Sequence, residues 1–233
     1  MKEKDNPALK ASRVGVFAGL YAVTSLVPVS VFIGTSSMLS LNLIITPCIA
    51  ILLTPIEAAA AALIGSLLAL WIAPWQAMFG PTTVLLPFMG AFLGSLVFHK
   101  RKIGAPLAAS FLIAVVMFYL ALRSEFPYWI TPHIISIILA GVSMFSTPLR
   151  IRIPLSAFVA TMCEQAAMLI QAVYVLQLPY VVFMTAFPLM LYERFIGLIG
   201  GTLIAYSLFR IMPERFDLER KKVNISTKDR LQQ

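Results

Sequence analysis

Eight long apolar runs, separated by short polar breaks, dominate the 233-residue sequence and leave few folds open to it. A helix needs roughly 20 residues, with a range of about 17–25, to cross the hydrocarbon core of a bilayer. Most of the runs approach or reach that length. The run 41–54 is short, so it is predicted to extend into its uncharged flank or to cross only in part. The runs fall at about 14–34, 41–54, 57–73, 82–98, 104–122, 129–147, 154–177 and 181–209.

The composition supports a membrane protein. Hydrophobic residues make up 60% of the chain and charged residues only 12%, whereas a soluble domain carries about 25% charged residues. The chain therefore lacks the polar surface that would cover a water-exposed globule. Helices bundled in a bilayer need no such cover, because lipid is their solvent. We predict an all-α fold, a polytopic bundle of six to eight transmembrane helices in the cell membrane.

The basic residues predict the orientation of this bundle. Sixteen of the eighteen Lys and Arg residues lie in four short polar segments, and such clustering is typical of the cytoplasmic side of membrane proteins. It also argues against a nucleic-acid partner, despite the net charge of +8. We predict that both termini are cytoplasmic, with tails at 1–13 and 211–233 flanking a transmembrane domain at 14–210. The four basic segments are the N-terminal tail, "HKRK" at 99–102, "RIR" at 150–152 and the stretch from Arg210 onward.

The opposite boundary is predicted from aromatic residues. Arg123 is expected outside, and several aromatic residues fall at the predicted outer ends of the runs, as in an interfacial belt. These residues are Trp71, Trp75, Tyr128 and Trp129.

Motifs for common enzymes and metal sites are absent from the sequence. It contains no GxxxxGK[ST] phosphate loop, no HExxH pair and no GxSxG elbow. Cys48 and Cys163 lie in apolar runs without metal-ligand spacing, which predicts neither a disulfide nor a metal site. His99 and His133 have no acidic neighbours in sequence and are interpreted as solvated or interfacial. We therefore predict no catalytic residues and no cofactor.

Small residues recur at fourfold spacing in the first run. Ala11, Gly15 and Gly19 form one such series, and Ala18 and Ala22 form another. This spacing places small residues on one helix face, where another backbone can approach closely. Packing inside the chain and contact with a partner subunit are both compatible with the pattern.

Polar residues inside the last two runs suggest a site near the middle of the bilayer. At 1.5 Å per residue, Glu164 and Gln165 lie near mid-depth, as do Glu193 and Arg194. A charge at that depth costs roughly 2.5–3.5 kcal/mol on insertion scales, so it needs a partner or a wet cavity. Because adjacent residues diverge by about 100° on a helix, we expect Arg194 to pair with Glu164 and leave Glu193 facing a cavity or a second partner.

Two interpretations of these residues remain open, a structural ion pair and a polar pocket for a ligand. For the pocket, the candidates also include polar or aromatic residues in other breaks and runs. The candidate substrate-binding residues are Glu164, Gln165, Gln171, Tyr174, Glu193, Arg194, Asn42, Trp75 and Gln76.

Three stretches resemble the substrate-binding S components of energy-coupling factor (ECF) transporters, which carry vitamins and related micronutrients. They are "SRVGVFAGLYAVTSLVP", whose Ala18 and Ala22 match the AxxxA element of that family, "LNLIITPCIAILLTPIEAAAAALIGSLLAL" with the following "FGPTTVLLPFMGAFLGSLVF", and "FPLMLYERFIGLIGGTLIAYSLFR". S components usually have six spanning helices, so the pair of runs around 104–147 is either an added hairpin or a pair of which part does not span the membrane.

The resemblance also implies partners. An S component captures its small-molecule substrate from outside, and two cytoplasmic ATPases with a transmembrane scaffold subunit drive its release. It further implies that the AxxxA face contacts the scaffold. The candidate interface residues are Gly15, Ala18, Gly19 and Ala22. The alternatives are a self-sufficient secondary transporter, with Glu164, Glu193 and Arg194 as an ion or proton relay, and an intramembrane enzyme or structural membrane protein.

Overall fold

The computed structural model of the chain describes residues 6–31, 38–145 and 148–211. These residues are predominantly helical, which confirms the predicted all-α class. A small antiparallel hairpin is formed by β1 (Pro28–Val31) and β2 (Met38–Ser40). The helices are α1 (Pro7–Thr24), α2 (Ile45–Leu52), α3 (Pro55–Ile72), α4 (Leu85–His99), α5 (Arg101–Leu122), α6 (Thr131–Ser143), α7 (Leu149–Tyr174) and α8 (Tyr180–Ile211). Short 3₁₀ turns at Leu41–Ile44, Pro74–Gln76, Gly80–Val84 and Pro127–Ile130 precede or follow them.

Local sequence signals explain several helix boundaries. Helix α1 begins inside the predicted tail 1–13, because Asn6 accepts a hydrogen bond from the backbone N–H of Ala8 at 3.0 Å and Pro7 suits the first helical position. It ends at Thr24, well before the end of its apolar run, and the chain turns into β1 at Pro28. The predicted C-terminal tail lies outside the described residues, except for Ile211.

The start of helix α3 is also explained by a local sequence signal. Its N-terminus carries a capping box, in which Glu57 accepts a hydrogen bond from the backbone N–H of Thr54 at 3.2 Å. Glu57 therefore stabilises the start of the helix and is not part of the candidate pocket.

Five helical segments among the described residues are long and apolar enough to cross a membrane. The predicted six to eight spans are therefore not confirmed. Helix α1 carries Lys10 and Arg13 in its first turns, and the segments Leu41–Leu52 and Pro127–Ser143 are too short. The run 41–54 forms one of these short segments, Leu41–Leu52. The five long segments are Pro55–Ile72, Gly80–His99, Arg101–Leu122, Leu149–Tyr174 and Tyr180–Ile211.

Helix α7 lies at the centre of the bundle and α8 at its edge. The most apolar window of α7 is 83% buried, whereas that of α8 is 28% buried. Helices α2, α4, α5, α6 and α8 all pack against α7. Glu164, Gln165 and Gln171 of α7 are consequently buried inside the bundle.

The connections gather at two ends of the bundle. At one end, which we call the basic end, Arg101 donates to the carbonyl oxygen of Phe145 at 3.0 Å, and the ring of Phe98 lies 4.6 Å from the Arg152 guanidinium carbon. At the other end, which we call the aromatic end, Arg123 donates to the carbonyl oxygen of Leu178 at 3.1 Å. Trp71, Trp75 and Tyr128 are exposed at the aromatic end, as an interfacial belt requires.

Candidate functional site

The charged pair of α8 is buried against the centre of the bundle. Arg194 Nη1 donates to the carbonyl oxygen of Thr161 on α7 at 3.2 Å, and Arg194 Nη2 lies 3.8 Å from Glu193 Oε2. The expectation that Arg194 pairs with Glu164 rather than with its own neighbour is therefore wrong. The two side chains of α8 converge because the long guanidinium side chain can reach back across the helix surface to the carboxylate.

Glu164 faces a different side of α7. It lies beside α4, where a Cβ on Gly90 would come within 2.8 Å of the Cβ of Glu164 and 3.0 Å of Thr46 Cγ2. Glycine at this position therefore lets α4 approach the carboxylate-bearing turn of α7. Glu164 Oε2 has no hydrogen-bond partner among the described residues. Arg194 is near enough to act on Glu164 electrostatically, so the three charged groups form one buried centre.

His133 adds a fourth titratable group to this region. The side chain is 0% exposed, so the interpretation as a solvated or interfacial residue is wrong. Neither ring nitrogen has a hydrogen-bond partner among the described residues, and the charge of Arg194 acts on the ring. The spacing of Trp129, His133, Ser136 and Ala140 along one helical face could have revealed this, since all four are buried.

A small cavity lies between the 3₁₀ turn that precedes α6, the C-terminal half of α7 and the first turns of α8. Gln165 and Trp129 line it, together with apolar side chains such as Met168 and Phe183. Its volume is about 20 Å³, on a scale where one water molecule needs about 10–15 Å³. Trp129 was predicted to belong to the interfacial belt, but only 5% of it is exposed. Gln165, predicted as a site residue, is 2% exposed.

Two of the other predicted site residues form a structural network at the aromatic end. Asn42 Nδ2 donates to Gln76 Oε1 at 2.7 Å and to Ser25 Oγ at 2.9 Å. Gln76 Nε2 donates to Ser40 Oγ at 2.7 Å and to the carbonyl oxygen of Ser25. These bonds join the end of α1, the β-hairpin and the segment after α3. Their polar atoms are used in holding the fold together.

The remaining predicted site residues lie apart from the charged centre. Gln171 is engaged in a reciprocal pair with Thr82, accepting from its hydroxyl at 2.9 Å and donating to its carbonyl oxygen at 3.1 Å. Tyr174 is 72% exposed and Trp75 is also exposed. The structure therefore brings together Glu164, Glu193 and Arg194. Gln165, which lies on α7 like Glu164, lines the cavity described above.

The small residues of α1 fall on two different surfaces. Ala18 and Ala22 are buried, and a Cβ on Gly65 of α3 would lie 2.9 Å from the carbonyl oxygen of Ala18. A Cβ on Gly15 or Gly19, in contrast, would meet no atom within 4 Å among the described residues. Ala18 and Ala22 thus pack inside the chain, which was the alternative to a partner interface. Contact of Gly15 and Gly19 with a partner remains a prediction.

Replacing Ala18 with leucine should destabilise the chain itself. The larger side chain would collide with α3 at Gly65, and overpacking of this kind typically costs about 1–3 kcal/mol. Gly15→Leu is the matched control, because the same side chain would enter open space. Thermal denaturation of the purified variants measures the difference. Equal stability of the two variants would mean that α1 does not pack on α3 as described.

Comparison with protein-family models, with curated proteins and with solved structures finds no match.

Proposed function

We propose that the chain is the membrane-embedded substrate-capture subunit of an ECF-type importer for a vitamin or related small molecule. In this proposal it catalyses no reaction. Two cytoplasmic ATPases, acting through a transmembrane scaffold subunit, supply the energy. The resemblance of three stretches to S components supports the proposal, and so does the lack of a phosphate-binding loop in the sequence.

The observation that carries the proposal is the incompletely paired charged centre. Glu193 and Arg194 are 3.8 Å apart, Arg194 Nε and Glu164 Oε2 have no hydrogen-bond partner among the described residues, and all three side chains are buried. Charged groups inside membrane-spanning helices are costly and commonly mark substrate or ion pathways. A ligand with polar groups that complement them would offset that cost.

A secondary transporter is the second candidate. Glu164 on α7, His133 on α6 and Arg194 on α8 place titratable groups on three adjacent helices. Such an arrangement would suit a proton or ion relay. The charged centre would then couple transport to an ion gradient instead of only holding a substrate.

Reconstitution into liposomes separates the two candidates. The uptake assay uses a mixture of radiolabelled water-soluble vitamins, with either a pH gradient or a sodium gradient across the membrane. A capture subunit should bind labelled molecule and not accumulate it, whichever gradient is applied. Accumulation by this chain alone, abolished by collapsing the gradient, would favour the secondary transporter and contradict the proposal.

The proposed orientation places both termini and the basic end in the cytoplasm. Glu125 at the aromatic end and Lys102 at the basic end are both exposed, whereas Cys48 and Cys163 are buried. In intact cells, Glu125→Cys should react with a membrane-impermeant maleimide, while Lys102→Cys should react only after permeabilisation. The opposite labelling pattern would reverse the orientation and place the capture side in the cytoplasm.

A further inference from the structure

Two residues that line the cavity, Trp129 and Gln165, each carry a buried polar atom without a hydrogen-bond partner among the described residues. These atoms are Trp129 Nε1 and Gln165 Oε1. The indole N–H can only donate, and the amide oxygen can only accept. Leaving such groups unpaired in a buried site is unfavourable, and the penalty is relieved by any group that satisfies both.

The walls of the cavity restrict what that group can be. Besides Trp129 and Gln165, the lining side chains are apolar and include Met168, Leu169 and Phe183. Such surroundings disfavour a charged group, which would be desolvated without a counter-ion. The volume of about 20 Å³ admits a group little larger than one water molecule, which needs about 10–15 Å³.

Trp129 is held in place by aromatic contacts with α8. Its ring lies 5.3 Å from that of Phe183, with the planes at 83°, and 6.0 Å from that of Phe187. Edge-to-face packing of this kind fixes the direction of a side chain. The donor is therefore held in position before any ligand arrives.

We propose that this cavity is a subsite for an uncharged, hydroxyl-bearing end of the substrate. The hydroxyl oxygen accepts a hydrogen bond from Trp129 Nε1, and its proton is donated to Gln165 Oε1. The cavity runs from Gln165, which follows Glu164 of the charged centre in sequence, to Leu178 in the connection between α7 and α8. The assignment rests on the proposed function, because it names a chemical feature of the captured molecule.

Benzyl alcohol is a suitable probe, with two matched compounds. Benzyl methyl ether accepts a hydrogen bond but cannot donate one, and toluene can do neither. The chain has three tryptophans. In a background of Trp71→Phe and Trp75→Phe, its tryptophan emission comes from Trp129 alone. Titrations of this protein in nanodiscs, at equal membrane concentrations of each probe, report binding near Trp129.

We expect a saturable change in emission with benzyl alcohol, and at least tenfold weaker binding of both matched compounds. Gln165→Leu should weaken benzyl alcohol binding about tenfold, as expected for loss of one buried hydrogen bond. Thr185→Val, which removes a hydroxyl from the exposed face of α8, should leave it unchanged. Gln165→Leu should remain folded, because it removes an unpaired polar atom.

Equal binding of toluene, or unchanged affinity in Gln165→Leu, would overturn the subsite in favour of nonspecific partitioning of the aromatic ring. The absence of any saturable change with benzyl alcohol would overturn it in favour of a cavity that holds only water. The titration uses added probes, so its result does not depend on whether the chain retains a natural substrate during purification. Failure of the subsite and failure of the proposed function are therefore distinguishable.

Discussion

Replacing Arg194 with leucine is expected to destabilise the chain by about 3–5 kcal/mol, the usual cost of removing one partner of a buried ion pair. The substitution would leave Glu193 and Glu164 buried without the cation that lies beside them. For a chain of this size it corresponds to a fall of roughly 6–20 °C in melting temperature. Thermal denaturation of the detergent-purified protein, followed by size-exclusion chromatography, measures it.

Two further variants identify the partner of Arg194. The double variant Glu193→Leu with Arg194→Leu should recover much of the lost stability, because an apolar pair can replace a buried ion pair at little cost. Glu164→Leu with Arg194→Leu should recover less. Arg210→Leu is the matched control, since Arg210 is exposed at the end of α8. Greater recovery with the Glu164 double variant would show that the pairing runs between α7 and α8.

Replacing Gly104 with alanine should have a comparably large effect. A Cβ at this position would lie 2.1 Å from the carbonyl carbon of Leu96 and 2.2 Å from its oxygen. These atoms belong to the backbone of the last turn of α4, so no side-chain rotation can relieve the clash. We expect a loss at or above the upper end of the roughly 1–3 kcal/mol typical of overpacking, measured by the same denaturation assay.

Gly141→Ala provides the control for Gly104→Ala. Gly141 also lies inside a helix, but a Cβ there would meet no atom within 4 Å among the described residues. Alanine favours helix over glycine by about 0.5–1 kcal/mol, so this variant should be as stable as the parent or more stable. Similar losses in both variants would mean that α4 and α5 do not meet closely at Gly104.

The sequence predicted the positions of the helices better than it predicted which surfaces of the helices pack against each other. Apolar runs, prolines and caps are local features, so the position of α3, predicted from the run 57–73 and observed at Pro55–Ile72, could be read directly. The predicted number of spans is not confirmed, in part because a continuous apolar run need not be one helix. The run 14–34 contains both α1 and the strand that begins at Pro28.

The packing faces of the helices could not be predicted in the same way. The most apolar windows of helices α7 and α8 have the same mean hydropathy of 1.5, yet one helix is central and the other lies at the edge. When every face of a helix is apolar, its periodicity does not distinguish lipid from protein. For that reason Trp129 was expected at a surface, the packing of Ala18 could not be decided, and Tyr174 was included among the site residues. The contact between Arg194 and Glu193 was also missed, because the long side chain of Arg194 reaches Glu193 although adjacent residues on a helix diverge.

The proposed function requires that the buried charged centre of α7 and α8 retain a small molecule. Its most direct test is mass spectrometry of the small molecules released from the purified parent chain and from two variants. We predict that the parent chain releases one compound in an amount that matches the amount of protein. Glu57→Gln should still release this compound, because the Glu57 carboxylate caps α3. Glu193→Gln should remain folded but no longer retain it. A parent chain that releases no such compound, or a Glu193→Gln variant that retains all of it, would contradict the proposal that the charged centre holds the substrate.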